Sequence, residues 1–211
     1  MFTQALTIAA LAGLATANSV PIFGSYPGWV ATGGNQLSIE IEIFMDFLCS
    51  DAKAAYPTVK QMLDSKLTDD LTVREAALLK VSSFPLDYHL HSWQVAQVLP
   101  YLLDDAAISQ APRMNQYLDI GFQYQDTVLG KDDMSKEEFI PYWSKIVSDE
   151  LSLDYDTMLG IYDRENDKHN TEDKTRAIWK YGSAKGVSGT PTAFVNGVKL
   201  DSFPATVDEW I

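Results

Sequence analysis

Residues 39–49, IEIEIFMDFLC, alternate branched apolar with acidic side chains and then turn almost wholly apolar. Period two with β-branched residues predicts a strand, open on one face at its start and more buried towards its end. Glu40 and Glu42 fall on the same side of that strand, as i and i+2 residues do, and read as a solvated face. Cys49 closes the run. The period then changes: Ala52, Ala55, Tyr56, Val59, Met62 and Leu63 recur at three- and four-residue spacing and make one apolar helical face. Ser50 and Asp51 suit the first turn of this helix, where amides lack partners and negative charge is favoured. Pro57 is expected to kink it. A second strand fits within Ala76–Ser83 and ends at the Phe84-Pro85 step.

From about Ser92 to Lys185 the pattern is largely helical. Ser135-Lys136-Glu137-Glu138 is a capping box leading into Phe139, Ile140, Trp143, Ile146 and Val147. Asn170 can cap a last helix that carries Ile178, Trp179 and Tyr181 and stops before Gly186. The aromatics of this stretch read as core. After Gly186 the period returns to two. Thr192–Val195 reads as a strand, Asn196-Gly197 as a hairpin turn and Val198-Lys199-Leu200 as the return strand. Thr206-Val207-Asp208-Glu209 is a second capping box, opening a helix that the sequence cuts at Ile211. Period two, then 3.6, then two again predicts an α/β protein: a central mixed sheet with an all-helical segment near 92–185 set between its halves.

The N-terminus carries a different signal. Ala5 to Ala17 is an apolar run of small and aliphatic residues, shorter than the ~20 that span a bilayer, and it ends in Ala15-Thr16-Ala17. Residues 1–17 therefore read as a secretory signal peptide, although MFTQ lacks the usual basic residues, and the mature chain is expected to begin near Asn18. This places the protein in the secretory pathway or outside the cell, with no membrane attachment after cleavage. Residues 18–37, rich in Gly and Pro, read as an arm with turns.

Composition narrows the functions. The 211 residues include 16 Lys and Arg against 29 Asp and Glu, a net charge of −13. Such a surface argues against nucleic acid and against anionic lipid, both of which need a basic face. One cysteine excludes an internal disulfide framework and a Cys-rich zinc site. His89-x-His91, without acids or thiols at ligand spacing, is a poor metal site. No phosphate-binding, dinucleotide or serine-hydrolase motif is present, and neither a metal nor a cofactor is expected.

Three segments together resemble the DsbA-like branch of the thioredoxin superfamily. Phe44-Met45-Asp46-Phe47-Leu48-Cys49-Ser50-Asp51-Ala52 is similar to its strand-to-helix turn, F-x-D-x-x-C-x-x-C. Phe84-Pro85-Leu86-Asp87-Tyr88-His89 is similar to its F-P-L-x-x-H, and Val187 to Gly197 to its G-x-x-G-T-P-T-x-x-x-N-G segment. The resemblance implies a thioredoxin-like domain made of residues 18–91 and 186–211, with an inserted helical domain, 92–185. It implies that Cys49 is the nucleophile and that Gly189, Thr190 and a cis Pro191 meet the substrate. Asp46, Ser50, Ala52 and His89 accompany the motif.

One departure decides what chemistry remains. The second cysteine of the motif is Ala52, and no other cysteine exists to replace it. A dithiol cycles because its second thiol resolves the mixed disulfide left by the first, and that step has no agent here. Three functions follow in order. The first is thiol–disulfide exchange through Cys49 alone, on a thiol- or disulfide-bearing client polypeptide or glutathione, with an external thiol releasing the adduct. The second is a redox-inactive module that binds an extended peptide or partner by strand addition at Thr190. The third is a glutathione transferase resembling the kappa class, in which a serine holds the position that Cys49 has here.

Overall fold

The computed structural model describes residues 26–31, 36–104 and 111–211. The expected signal peptide, 1–17, and the start near Asn18 lie outside the described residues. The described chain opens with β1 (Trp29–Val30), β2 (Ile39–Met45), α1 (Ser50–Asp64), a small hairpin of β3 (Lys66–Thr68) and β4 (Leu71–Thr72), the single turn α2 (Val73–Ala76) and β5 (Ala77–Ser83). Six helices follow: α3 (Ser92–Asp104), α4 (Ala111–Gln123), α5 (Gln125–Leu129), α6 (Lys136–Leu151), α7 (Tyr155–Gly160) and α8 (Thr171–Ala184). β6 (Thr192–Val195), β7 (Val198–Lys199) and α9 (Val207–Trp210) complete it.

The main sheet has the order β1-β5-β2-β6-β7 and is mixed. β2 and β5 are parallel, with Ile39 opposite Ala77 and Met45 opposite Ser83, so α1 and the hairpin form the crossover that parallel strands require. β6 runs antiparallel to β2, pairing Phe44 with Thr192. The parallel pairing brings the ends of β2 and β5 out at one edge, where both the Cys49 turn and the 84–91 loop begin. The tight β6–β7 return has Asn196 and Gly197 both at positive φ, 50° and 79°, the geometry that favours Asn-Gly in a two-residue hairpin.

α1 forms on the apolar face read from its spacing, and Ala52, Tyr56, Val59, Met62 and Leu63 are buried. The helix runs through Pro57 from Ser50 to Asp64. The helical stretch packs on the sheet at two close approaches. A Cβ at Gly121 of α4 would lie 2.2 Å from the Phe47 ring, and one at Gly182 of α8 would lie 2.7 Å from Phe84. Glycine is what lets these helices reach the residues flanking the sheet ends. Phe139 and Trp143 of α6 are fully buried, and their rings stack.

Two expectations are corrected. Glu42 is not solvated: it is buried, and its carboxylate accepts a 2.8 Å hydrogen bond from the Tyr181 hydroxyl and pairs with Lys185. The physical reason is α8, which covers the sheet face that the strand pattern left open. Glu40, half-buried, pairs across the sheet with Lys80. Asn170 does precede α8, but its side chain makes no cap. Asn170 is held in a left-handed conformation, φ 50°, and Asp167 serves the helix start, accepting from the Thr171 amide at 2.6 Å and from its hydroxyl at 2.7 Å. The Ser135 box forms as expected, with Glu138 and Ser135 exchanging both bonds.

Breaking a buried ion pair leaves an uncompensated charge and costs more than the pair contributes. Lys185→Met should therefore lower stability by about 3 kcal/mol. Adding Glu42→Gln should recover most of that loss. Urea unfolding at neutral pH reads both; additive losses would show that the pair is not coupled.

Candidate active site

The turn after β2 is built around Asp46. Its side chain is buried and its carboxylate accepts from four donors: the Leu48 amide at 3.0 Å, the Leu86 amide at 3.0 Å, His89 Nδ1 at 2.6 Å and the Ser92 hydroxyl. A carboxylate is an acceptor only, so the Nδ1 proton sits on the histidine. The Asp46 carbonyl accepts in turn from the Cys49 amide at 3.2 Å. One side chain thus joins three pieces of chain: the Cys49 turn, the loop after β5 and the start of α3.

Cys49 is the N-cap of α1 in extended conformation, and its carbonyl accepts the first helical bond, from the Lys53 amide at 3.0 Å. The sulfur therefore lies at the positive end of the helix dipole. It is 7% exposed, and its S–H donates to the Thr190 carbonyl at 3.1 Å. Two residues 141 apart in sequence meet at the thiol. The Thr190–Pro191 peptide is cis. The Gly189 carbonyl accepts from Thr192 Oγ1 at 2.7 Å, tying the loop to the start of β6, and a Cβ at Gly189 would meet only open space. Thr190 Oγ1 is buried with no hydrogen-bond partner among the described residues.

Of the other residues read from the motif, Ser50 is exposed on the first turn of α1, and Ala52 is 0% exposed, one turn behind the cysteine. Of the nearby basic groups, Lys53 pairs with Asp126 at 2.9 Å and His89 with Asp46 at 2.6 Å. The two imidazoles of His89-x-His91 diverge, since His91 stacks on Phe139 and its Nε2 lies 3.1 Å from the Lys131 carbonyl. Among the described residues no group of three acids, histidines or cysteines stands ready to hold a metal. Nor is any described helix long and apolar enough to cross a membrane.

Sequence reasoning missed Gln125. This buried side chain at the start of α5 donates to the carbonyls of Phe47 at 2.7 Å and Cys49 at 2.9 Å. It clamps the turn from the helical side. No sequence pattern marks it, because a lone glutamine at a helix start has no spacing signature. Ser92 was missed likewise; it looks like an ordinary first-turn residue until the fold brings Asp46 to it.

No protein-family model matches the chain, and no curated protein matches it in sequence. Solved structures do. A candidate protein-disulfide isomerase from Pseudomonas syringae superposes with a TM-score of 0.64 at 11% identity, over 84% of this chain and 93% of that one. DsbA of Chlamydia trachomatis gives 0.59 at 15% identity, over 92% and 91%. BdbD of Bacillus subtilis gives 0.55 at 15%, over 87% and 89%. The chain has the DsbA-like thioredoxin fold. Within that fold, Cys49 occupies the junction of strand and helix, and the Thr190–Pro191 loop lies against it.

Removing the carboxylate from the turn should be costly, since each buried donor left without a partner costs about 1–3 kcal/mol. Asp46→Ala should destabilise the fold by about 3 kcal/mol or more. Asp87→Ala, at an exposed site on the same loop, should stay within about 0.5 kcal/mol of wild type. Equal, small losses by urea titration would mean that Asp46 does not organise the turn.

Proposed function

We propose that the protein carries out thiol–disulfide exchange through Cys49 alone. The Cys49 thiolate attacks a disulfide of a client polypeptide or of glutathione. A bond forms from Sγ to the attacked sulfur, the original S–S bond breaks, and the other sulfur leaves as a thiolate. The thiol proton, which Thr190 holds in the resting arrangement, passes to solvent. An external thiol must then release the adduct, because Ala52 supplies no sulfur and the chain has no second cysteine. The observation that carries this reading is the 3.1 Å contact between the Cys49 thiol and the Thr190 carbonyl at a helix N-terminus. The fold, shared with thiol–disulfide oxidoreductases, supports it. A secretory or extracellular setting, where disulfide-bearing clients are found, fits the expected signal peptide.

A second reading has its own support. The sulfur is nearly buried and spends its proton on a carbonyl, which suits a site that holds an extended peptide without reacting with it.

The two separate in a non-reducing pull-down from secretory extract, comparing wild type with Cys49→Ser. Exchange predicts adducts that are absent from Cys49→Ser and that reductant dissolves. Partners that survive both the substitution and the reductant would replace the exchange reading with the binding one. A complementary gain is expected from Ala52→Cys. It restores a sulfur one helical turn from Cys49, so insulin reduction should rise from the level of free thiol to measurable turnover. No gain from a folded Ala52→Cys variant would show that the surrounding site does not support exchange.

A further inference from the structure

A concavity opens on the loop that follows β5. It encloses about 380 Å³ between the loop after β5 and α8. That is within the ~300–1,000 Å³ of small-ligand and side-chain pockets. Trp93 and Trp179 are among its walls, with Leu90 beside them and Arg176 and Lys180 also in the lining. Trp179 is 37% exposed, with one face stacked on Phe84 at 5.7 Å, and Leu90 is 60% exposed. The Trp93 indole N–H is already taken by Glu172 at 2.7 Å, so what Trp93 has left to offer is apolar surface. The aromatics of the helical stretch read as core, and most are; Trp179 and Tyr155 are exposed.

Two cations stand at this cleft. Arg176 uses one nitrogen on Glu172 at 2.8 Å and is half exposed, while Lys180 makes no ion pair among the described residues. Against these two cations the lining carries one acid, Asp87. Although Glu172 offsets Arg176, the cleft keeps Lys180 without an ion pair among the described residues and further guanidinium N–H groups on Arg176, which in a chain of net charge −13 are contacts for an anion that carries an apolar group.

One wall of the cleft is tied to the Cys49 turn through Asp46. Leu86 and His89 line it, and both are fastened to Asp46. Between them, Tyr88 stands 72% exposed, and its phenol is pushed above its ordinary value by desolvation first and then by the charge of Cys49.

We propose that this cleft is a specificity subsite for the client: it takes an aromatic side chain flanked by carboxylates, from the polypeptide segment next to the sulfur that meets Cys49. The inference rests on the exchange reading for its client, but the cleft can be tested without the reaction.

Two peptides serve as probes, each with one cysteine activated as its 2-pyridyl disulfide. One continues Glu-Phe-Glu and the other Gly-Ser-Gly. Cys49 thiolate attacks the peptide sulfur, the new disulfide forms, and pyridine-2-thiolate leaves to be measured as the thione. The acidic aromatic peptide should react faster. The double reversal Arg176→Glu/Lys180→Glu should reduce that preference about tenfold, and added salt should reduce it too. Trp179→Ala should also diminish it; since Trp179 packs on Phe84, the surface charge variant is the safer readout. Dye-labelled versions with serine in place of cysteine are measured in parallel by fluorescence anisotropy. Tighter binding of the Glu-Phe-Glu peptide there, lost in the charge variant, upholds the cleft even when no disulfide forms, an outcome that would sink only the exchange reading. Equal binding of both serine peptides by the wild type overturns the subsite, whatever the thiol does.

Discussion

The carboxylate of Asp46 is the constraint on which the rest of this site depends. Burying an ionised group is costly unless its lone pairs are filled, and here four donors from three separate chain segments fill them. The consequence is geometric. The Cys49 turn cannot shift without withdrawing donors from the loop after β5 or from α3. Gln125 holds the same turn from the other side through the Phe47 and Cys49 carbonyls. The sulfur is thus fixed at the head of α1 by polar contacts from both the sheet and the helical part.

The parallel pairing of β2 and β5 is what brings these segments together. Because both strands end at the same edge, the turn that carries Cys49 and the loop that carries Leu86 and His89 emerge side by side. α8 then serves two ends of the sheet. Towards one end it seals Glu42 with Tyr181 and Lys185; elsewhere its Arg176, Trp179 and Lys180 line the cleft. The helical stretch is therefore a wall of the proposed substrate surface as well as a cover for the sheet.

Much of this was legible in the sequence, and what was not has definite causes. The β2 and β5 patterns, the Asn196-Gly197 turn and the Ser135 box are local signals, and local backbone preferences honour them. Glu42 was misread because a period-two pattern reports alternation, not what covers each face; the covering residues lie 139 and 143 positions away. Asn170 was misread because it takes a left-handed backbone, φ 50°, instead of the extended one of a side-chain cap, and Asp167 takes the Thr171 amide. The short strands β1, β3 and β4, two or three residues each, are too brief for any period to show. At the site, motif resemblance picked out Asp46 and His89, but no local sequence pattern assigned Asp46 a role. Its use as a hydrogen-bond acceptor depends on Leu86 and Ser92, which only the fold delivers.

Ala52 gives the site its particular chemistry. Fully buried one turn behind Cys49, it leaves a single sulfur facing the Thr190 loop, so any adduct waits for a thiol from outside. The most direct measurement is the reaction of the folded protein with a small neutral disulfide, 2,2′-dipyridyl disulfide, with the product mass determined before and after unfolding in urea. The account predicts that the folded chain releases one equivalent of thione and keeps one mixed disulfide at Cys49, which persists until an external thiol is added. A sulfur that stays unreactive until the chain is unfolded would contradict it, and would mark Cys49 as a buried structural residue.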